Sequence, residues 1–160
     1  MENHIENVIG HACAREAEET INKNPKCIDR VQAAFESRMK DIRTLWNAEN
    51  QATEELGELC DYGLCLDFVA AGTFREQREP YYRYQLSYGG PSEEFRVFLN
   101  GDVEFWFLDW FDGARVQVDG EDAETIKMIV RLKYEHLDRY PEDFEGDEEW
   151  KNLAASLTNA

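Results

Sequence analysis

The chain has 160 residues, with 34 Asp and Glu against 17 Lys and Arg, a formal net charge of −17 and a sequence pI near 4.5. That length suits one domain spanning 1–160 with a real core. The 12% aromatic content argues against the disordered class that such acidity otherwise suggests, and the sign of the charge argues against direct DNA or RNA binding.

No stretch approaches the roughly 18 apolar residues of a membrane span, and the opening Met-Glu-Asn-His has no signal-peptide character. The expectation is therefore a cytoplasmic protein with no membrane contact. Its four cysteines, Cys13, Cys27, Cys60 and Cys65, are expected to be reduced and partly buried. The charge is uneven. Residues 1–50 carry seven bases and nine acids, whereas 51–160 carry ten bases and 25 acids.

Residues 2–22 place Ile5, Val8, Ile9, Ala12 and Ile21 near one stripe, which predicts a first helix. Pro25 breaks it, since proline lacks an N–H and disfavours helix in the residue before it. From Pro25 to about Glu49, Ile28, Val31, Phe35, Met39, Ile42, Leu45 and Trp46 recur at threes and fours. This second helix carries Lys26, Arg30, Arg38, Lys40 and Arg43 on its other face, and the short connection predicts a helical hairpin over 2–49.

After a polar stretch to Glu58, residues 59–69 alternate apolar and polar and read as a first strand. A polar loop fills 70–80. Residues 81–88, 93–99, 103–110 and 114–118 then read as further strands, divided by Gly89-Gly90-Pro91, Asn100-Gly101 and Asp112-Gly113. Asn-Gly is a strong hairpin signal because both residues tolerate positive φ. The result is a four- to five-stranded antiparallel meander over 59–118. In 103–110, Val103, Phe105 and Phe107 share one face, while Glu104, Trp106, Leu108 and Trp110 share the other. Both faces are apolar enough to predict a central strand covered on both sides. A third helix is expected over 121–139, its first turn rich in acids as the helix dipole favours. An acidic tail follows at 141–160, in which Glu142, Asp143, Glu145, Asp147, Glu148 and Glu149 form a run without a base. The predicted class is α+β, with helices on one face of the sheet.

The chemistry-bearing residues form no motif. His4 and His11 are seven apart, wider than the three- or four-residue spacing that lets two imidazoles reach one ion. His136 suits the end of a helix. Cys60 and Cys65 lack the two-residue gap of a zinc knuckle. Gly89-Gly90-Pro91-Ser92 is followed by no phosphate-loop lysine. Asp109 and Asp112 flank Trp110-Phe111 and admit two readings, an acid/base pair beside an aromatic platform or a strand residue and a turn residue. No cofactor, metal or catalytic residue is expected, and the protein reads as a non-enzyme.

Partner-binding residues are sought instead among the acids. Asp102, Glu104, Asp109, Asp112 and Asp119, together with the run at 142–149, could imitate a line of phosphates if they share a surface. The other reading is an acidic, solvated surface with no partner. Homodimerisation through the sheet edge or the helical hairpin is opposed by the charge of −17 unless the acids avoid the interface, and the oligomeric state is left open.

The segments YQLSYGGPSEEF (84–95) and EFWFLDWFDGA (104–114), with the opening ENHIENVIGHACAREAEETINKNPKCIDRV, resemble a family of small acidic proteins. That family is carried by phages, prophages and plasmids of Gram-negative bacteria. The resemblance brings no catalytic residues. It implies company with antirestriction and anti-CRISPR functions, and hence an inhibitor of a bacterial defence nuclease that occludes a basic nucleic-acid-binding surface in the manner of a DNA mimic. The partner would be a basic nucleic-acid-binding protein such as a CRISPR effector or restriction enzyme. The alternative is a regulatory or interaction module of a mobile element that works through the aromatic sheet surface.

Overall fold

The computed structural model describes residues 5–7 and 25–137, with side chains described for 25–134. The sheet is built from β1 (Ile5–Asn7), β4 (Cys65–Val69), β5 (Tyr81–Ser87), β6 (Ser92–Phe98), β7 (Val103–Asp109) and β8 (Asp112–Val118). Helix α1 (Cys27–Asn47) precedes a two-stranded ribbon, β2 (Ala52–Thr53) with β3 (Gly57–Glu58), and α2 (Gly120–Leu137) follows β8. Strands β4 to β8 form a five-stranded antiparallel meander, and β1 adds itself to the β8 edge, giving the order β1-β8-β7-β6-β5-β4.

One face of the meander packs under the helices. The buried stripe of α1 is Cys27, Val31, Phe35, Met39, Ile42 and Leu45, the i, i+4 pattern that puts side chains on one side of a helix. Phe35 meets Phe105 with ring centroids 5.6 Å apart and Phe95 at 6.5 Å, and those two rings lie 5.1 Å from each other. Ile126, Ile129 and Val130 of α2 are buried beside them.

Salt bridges extend this packing. Three arginines flanking the α1 stripe reach acids elsewhere in the chain. Arg30 pairs with Asp109 at 2.6 Å, Arg38 Nε donates to Glu93 at 2.9 Å, and Arg43 Nε donates to Asp122 of α2 at 2.8 Å. The basic face of this helix is thus partly paired with the acidic half of the chain, while Lys26 and Lys40 stay exposed.

The second face of the sheet is a lattice of charges and rings. Arg96 lies 3.5 Å from the Trp106 ring centroid and 4.7 Å from that of Tyr81, and its Nε donates to Glu94 at 2.7 Å. Glu104 accepts from Trp106 Nε1 at 2.8 Å and from Arg115 at 2.6 Å. The central position of β7 agrees with the alternating pattern.

Several expectations need correction. Residues 5–7 are a strand, with Ile5 opposite Val116 and Asn7 opposite Ala114, and not the start of a helix. Backbone pairing along the β8 edge prevails there over the helical stripe. The rest of the first helix, and with it the helical hairpin, lies outside the described residues, as does the acidic tail. Strand β4 begins only at Cys65, because Leu59–Asp61 forms a 3-10 turn and Gly63 turns left-handed at φ 90°. A Cβ at Gly63 would sit 2.7 Å from Tyr84 Cε2 and 3.1 Å from the Gln85 carbonyl, so neither the backbone angle nor the space admits a side chain. The polar stretch before it holds the β2–β3 ribbon. Among the described residues no helix is long and apolar enough to cross a membrane.

The ring cluster is expected to dominate stability. Phe105→Ala should cost about 3–5 kcal/mol by equilibrium urea unfolding, and a loss below about 1 kcal/mol would show that the three phenylalanines do not form the centre of the core.

Candidate functional site

Two hairpin turns end at the same edge of the meander, because Ser87 pairs with Glu93 and Ser92 with Leu108. The first turn leaves Tyr88 81% exposed. The second is the two-residue connection Trp110-Phe111, whose side chains are 90% and 91% exposed. With strand spacing of about 4.8 Å, the turns lie roughly 10 Å apart. Adjacent exposed rings form contiguous apolar surface, which marks interaction sites more often than singly scattered residues do.

The turn geometry makes the arrangement more unusual. Asp109 and Asp112 pair across β7 and β8, so Trp110 and Phe111 occupy the two central positions. Trp110 has φ 54°, the left-handed region that suits glycine and costs a bulky side chain on the order of 1 kcal/mol. The Asp112-Gly113 dipeptide, which signals a turn in the sequence, instead opens β8. Its register follows from ladder pairing that runs unbroken from Val103↔Val118 to Asp109↔Asp112.

The base of this turn is fixed to α1. Asp112 Oδ2 accepts the Cys27 N–H at 2.7 Å, and Oδ1 accepts the Gly113 N–H at 3.0 Å. Lys26, at the N-cap, gives no side-chain cap, so a carboxylate from a distant strand satisfies an orphan donor and complements the helix dipole. Arg30 holds Asp109 one turn further on, and its guanidinium lies 4.7 Å from the Phe107 ring centroid. Burial, then the charge of Asp112, pushes the Cys27 thiol up to about 11.

The acids expected to bind a partner divide accordingly. Asp109 and Asp112 brace the turn, and Glu104 is buried on the second sheet face between Arg115 and Trp106. Asp102 and Asp119 are exposed at the opposite end of the sheet, where Val103 pairs with Val118. Seven residues of strand separate Asp102 from Asp109, about 23 Å. The structure therefore brings Asp102 near Asp119 and Asp109 near Asp112, and forms no continuous line of the five. Glu142, Asp143, Glu145, Asp147, Glu148 and Glu149 lie outside the described residues. The sequence contains the Trp-Phe pair, but a period-two reading puts Trp110 on a sheet face. Only the register reveals it as a turn.

A further set of donors lies elsewhere. One ligand atom each of Glu58, Cys60 and Asp61 falls within 4.8 Å of the others, all on exposed residues. Burial and the Glu58 and Asp61 carboxylates hold the Cys60 thiol above its ordinary value, which disfavours the thiolate a metal needs. Exposed acids commonly adopt such arrangements without an ion.

No family model matches the chain. No curated protein and no solved structure is similar to it.

Two measurements test this geometry. Trp110→Gly should raise stability by about 0.5–1 kcal/mol, since it relieves the left-handed angle and removes no packing, with glycine's chain entropy taking back part of the gain. A clear loss would show that the indole packs on the fold. For Cys27, the neutral thiol is favoured in the native state, so its contribution is complete below the ordinary value of 9.0 and is lost as pH rises towards about 11. Stability measured from pH 8 to 11 should fall less steeply in Cys27→Ala than in the parent, and equal slopes would contradict the shift.

Proposed function

We propose that this protein is a non-enzymatic inhibitor that attaches to a protein partner through the aromatic end of its sheet. The observation that carries the reading is the Trp110-Phe111 turn, two adjacent rings about nine-tenths exposed on a backbone braced to α1 by Asp109 and Asp112. Tryptophan and tyrosine anchors supply most of the energy at many interfaces, and a rigid base reduces the entropy lost on binding.

The charge of −17 selects the class of partner. A basic protein that binds nucleic acid is steered towards such a surface and is covered by it. A bacterial defence nuclease, a CRISPR effector or a restriction enzyme, is the partner that the charge and the resemblance to phage and plasmid proteins favour together. Asp102 and Asp119 remain available for contact at the acidic end, with the run at 142–149 as the further acidic contribution. Asp109, Asp112 and Glu104 have internal partners, which argues for rings as anchors and free acids as guides. A module that regulates some other protein of a mobile element would use the same rings with less dependence on charge.

The test is a pull-down with the tagged protein from cells producing CRISPR and restriction systems, washed at low and high salt. Trp110→Ser with Phe111→Ser should abolish recovery of the nuclease at either salt. Asp102→Lys with Asp119→Lys should weaken it several-fold at low salt only. Recovery unaffected by the ring substitutions would refute the reading.

A further inference from the structure

A concave feature lies away from the aromatic turn. It is a pocket of about 440 Å³ between the 3-10 turn, the start of β4 and the later half of α2, within the size range of small-molecule sites. Its apolar wall includes Leu59, Leu66 and Ile129, which are buried. Leu64 and Leu132 flank it with 61% and 42% of their surfaces exposed, and these two mark the opening.

Lys133 supplies the cation. Its ammonium lies 5.1 Å from the Tyr84 ring centroid and donates to the Cys60 carbonyl at 2.7 Å. An ammonium has three N–H donors, and among the described residues the Cys60 carbonyl is the one acceptor it meets. No described carboxylate comes within ion-pair distance, although Asp61 also lines the pocket. Arg30, Arg38, Arg43, Arg83, Arg96, Arg115 and Lys127 all have acid partners. In so acidic a protein, a half-buried lysine with no acid partner among the described residues is a site with unspent donors. Burial holds its ammonium below the ordinary lysine range, with Cys60 and Asp61 opposing that shift.

We infer that this pocket binds a small amphipathic carboxylate, its anionic head on Lys133 and its aliphatic body between Leu64, Leu66, Ile129 and Leu132. The head would accept the remaining ammonium donors, and the body would remove the exposed leucine surface from water. The inference is independent of the aromatic turn and of the proposed partner.

Octanoate serves as the probe, titrated calorimetrically into the full chain, with octanol as its neutral counterpart. Octanoate should bind one to one with a Kd of about 1 mM or tighter. Octanol, and octanoate with Lys133→Met, should bind at least about tenfold more weakly, as loss of a charge-assisted hydrogen bond requires. Methionine keeps an apolar stem over Tyr84. Should that variant fail to fold, Leu64→Asp changes an exposed position and should weaken octanoate by a similar factor. Equal binding of octanol, unchanged binding in either folded variant, or no octanoate binding at 10-fold above about 1 mM would each overturn the inference.

Discussion

The fold depends on how α1 is held against the sheet. Its buried stripe supplies the apolar contact, and the donors beside that stripe meet acids from four other elements. The Cys27 N–H and Arg30 hold the two ends of the β7–β8 turn, Arg38 holds Glu93 of β6, and Arg43 holds Asp122 of α2. These contacts span residues 27–43 of the helix, about 24 Å of its length. A nearly neutral first third of the chain is thereby matched to a strongly acidic remainder. Buried or half-buried carboxylates such as Glu93 would be costly without such partners.

This arrangement leads directly to the aromatic end. Fixing Asp109 and Asp112 sets the width of the β7–β8 turn at two residues, and the two that remain are a tryptophan and a phenylalanine. A left-handed angle at a bulky residue persists only where the surroundings enforce it, and such positions concentrate where proteins bind or react. The strain, the exposure and the bracing occur at the same place. Tyr88 extends the same edge from the neighbouring turn. The exposed acids Asp102 and Asp119 stand at the far end, so the exposed rings and the exposed acids are separated by the length of the strands.

Much of the fold was legible in the sequence. The α1 stripe names its own buried face, the Asn100-Gly101 pair marks a turn, and the spacing of 81–118 dictates the meander. What the sequence misled on was decided by partners distant along the chain. Ile5–Asn7 becomes a strand because β8 offers a free edge, and residues 59–63 leave the sheet because Gly63 must pass close to Tyr84. The acids were the hardest to read. Asp109, Asp112 and Asp102 look alike in a composition, yet one is an arginine partner, one caps a helix 85 residues away, and one faces solvent. Lys133 gave no signal at all, since its pocket joins residues from 51 to 133.

The most direct test of the aromatic end as the attachment point is site-specific photocrosslinking in cells that carry the candidate nucleases. A benzophenone amino acid is placed at position 111, and in separate proteins at the exposed positions 99 and 128. The account expects one discrete heterologous adduct from position 111, formed in preference to any from the other two. An adduct formed from 99 or 128 while 111 gives none would place the partner elsewhere and contradict the account.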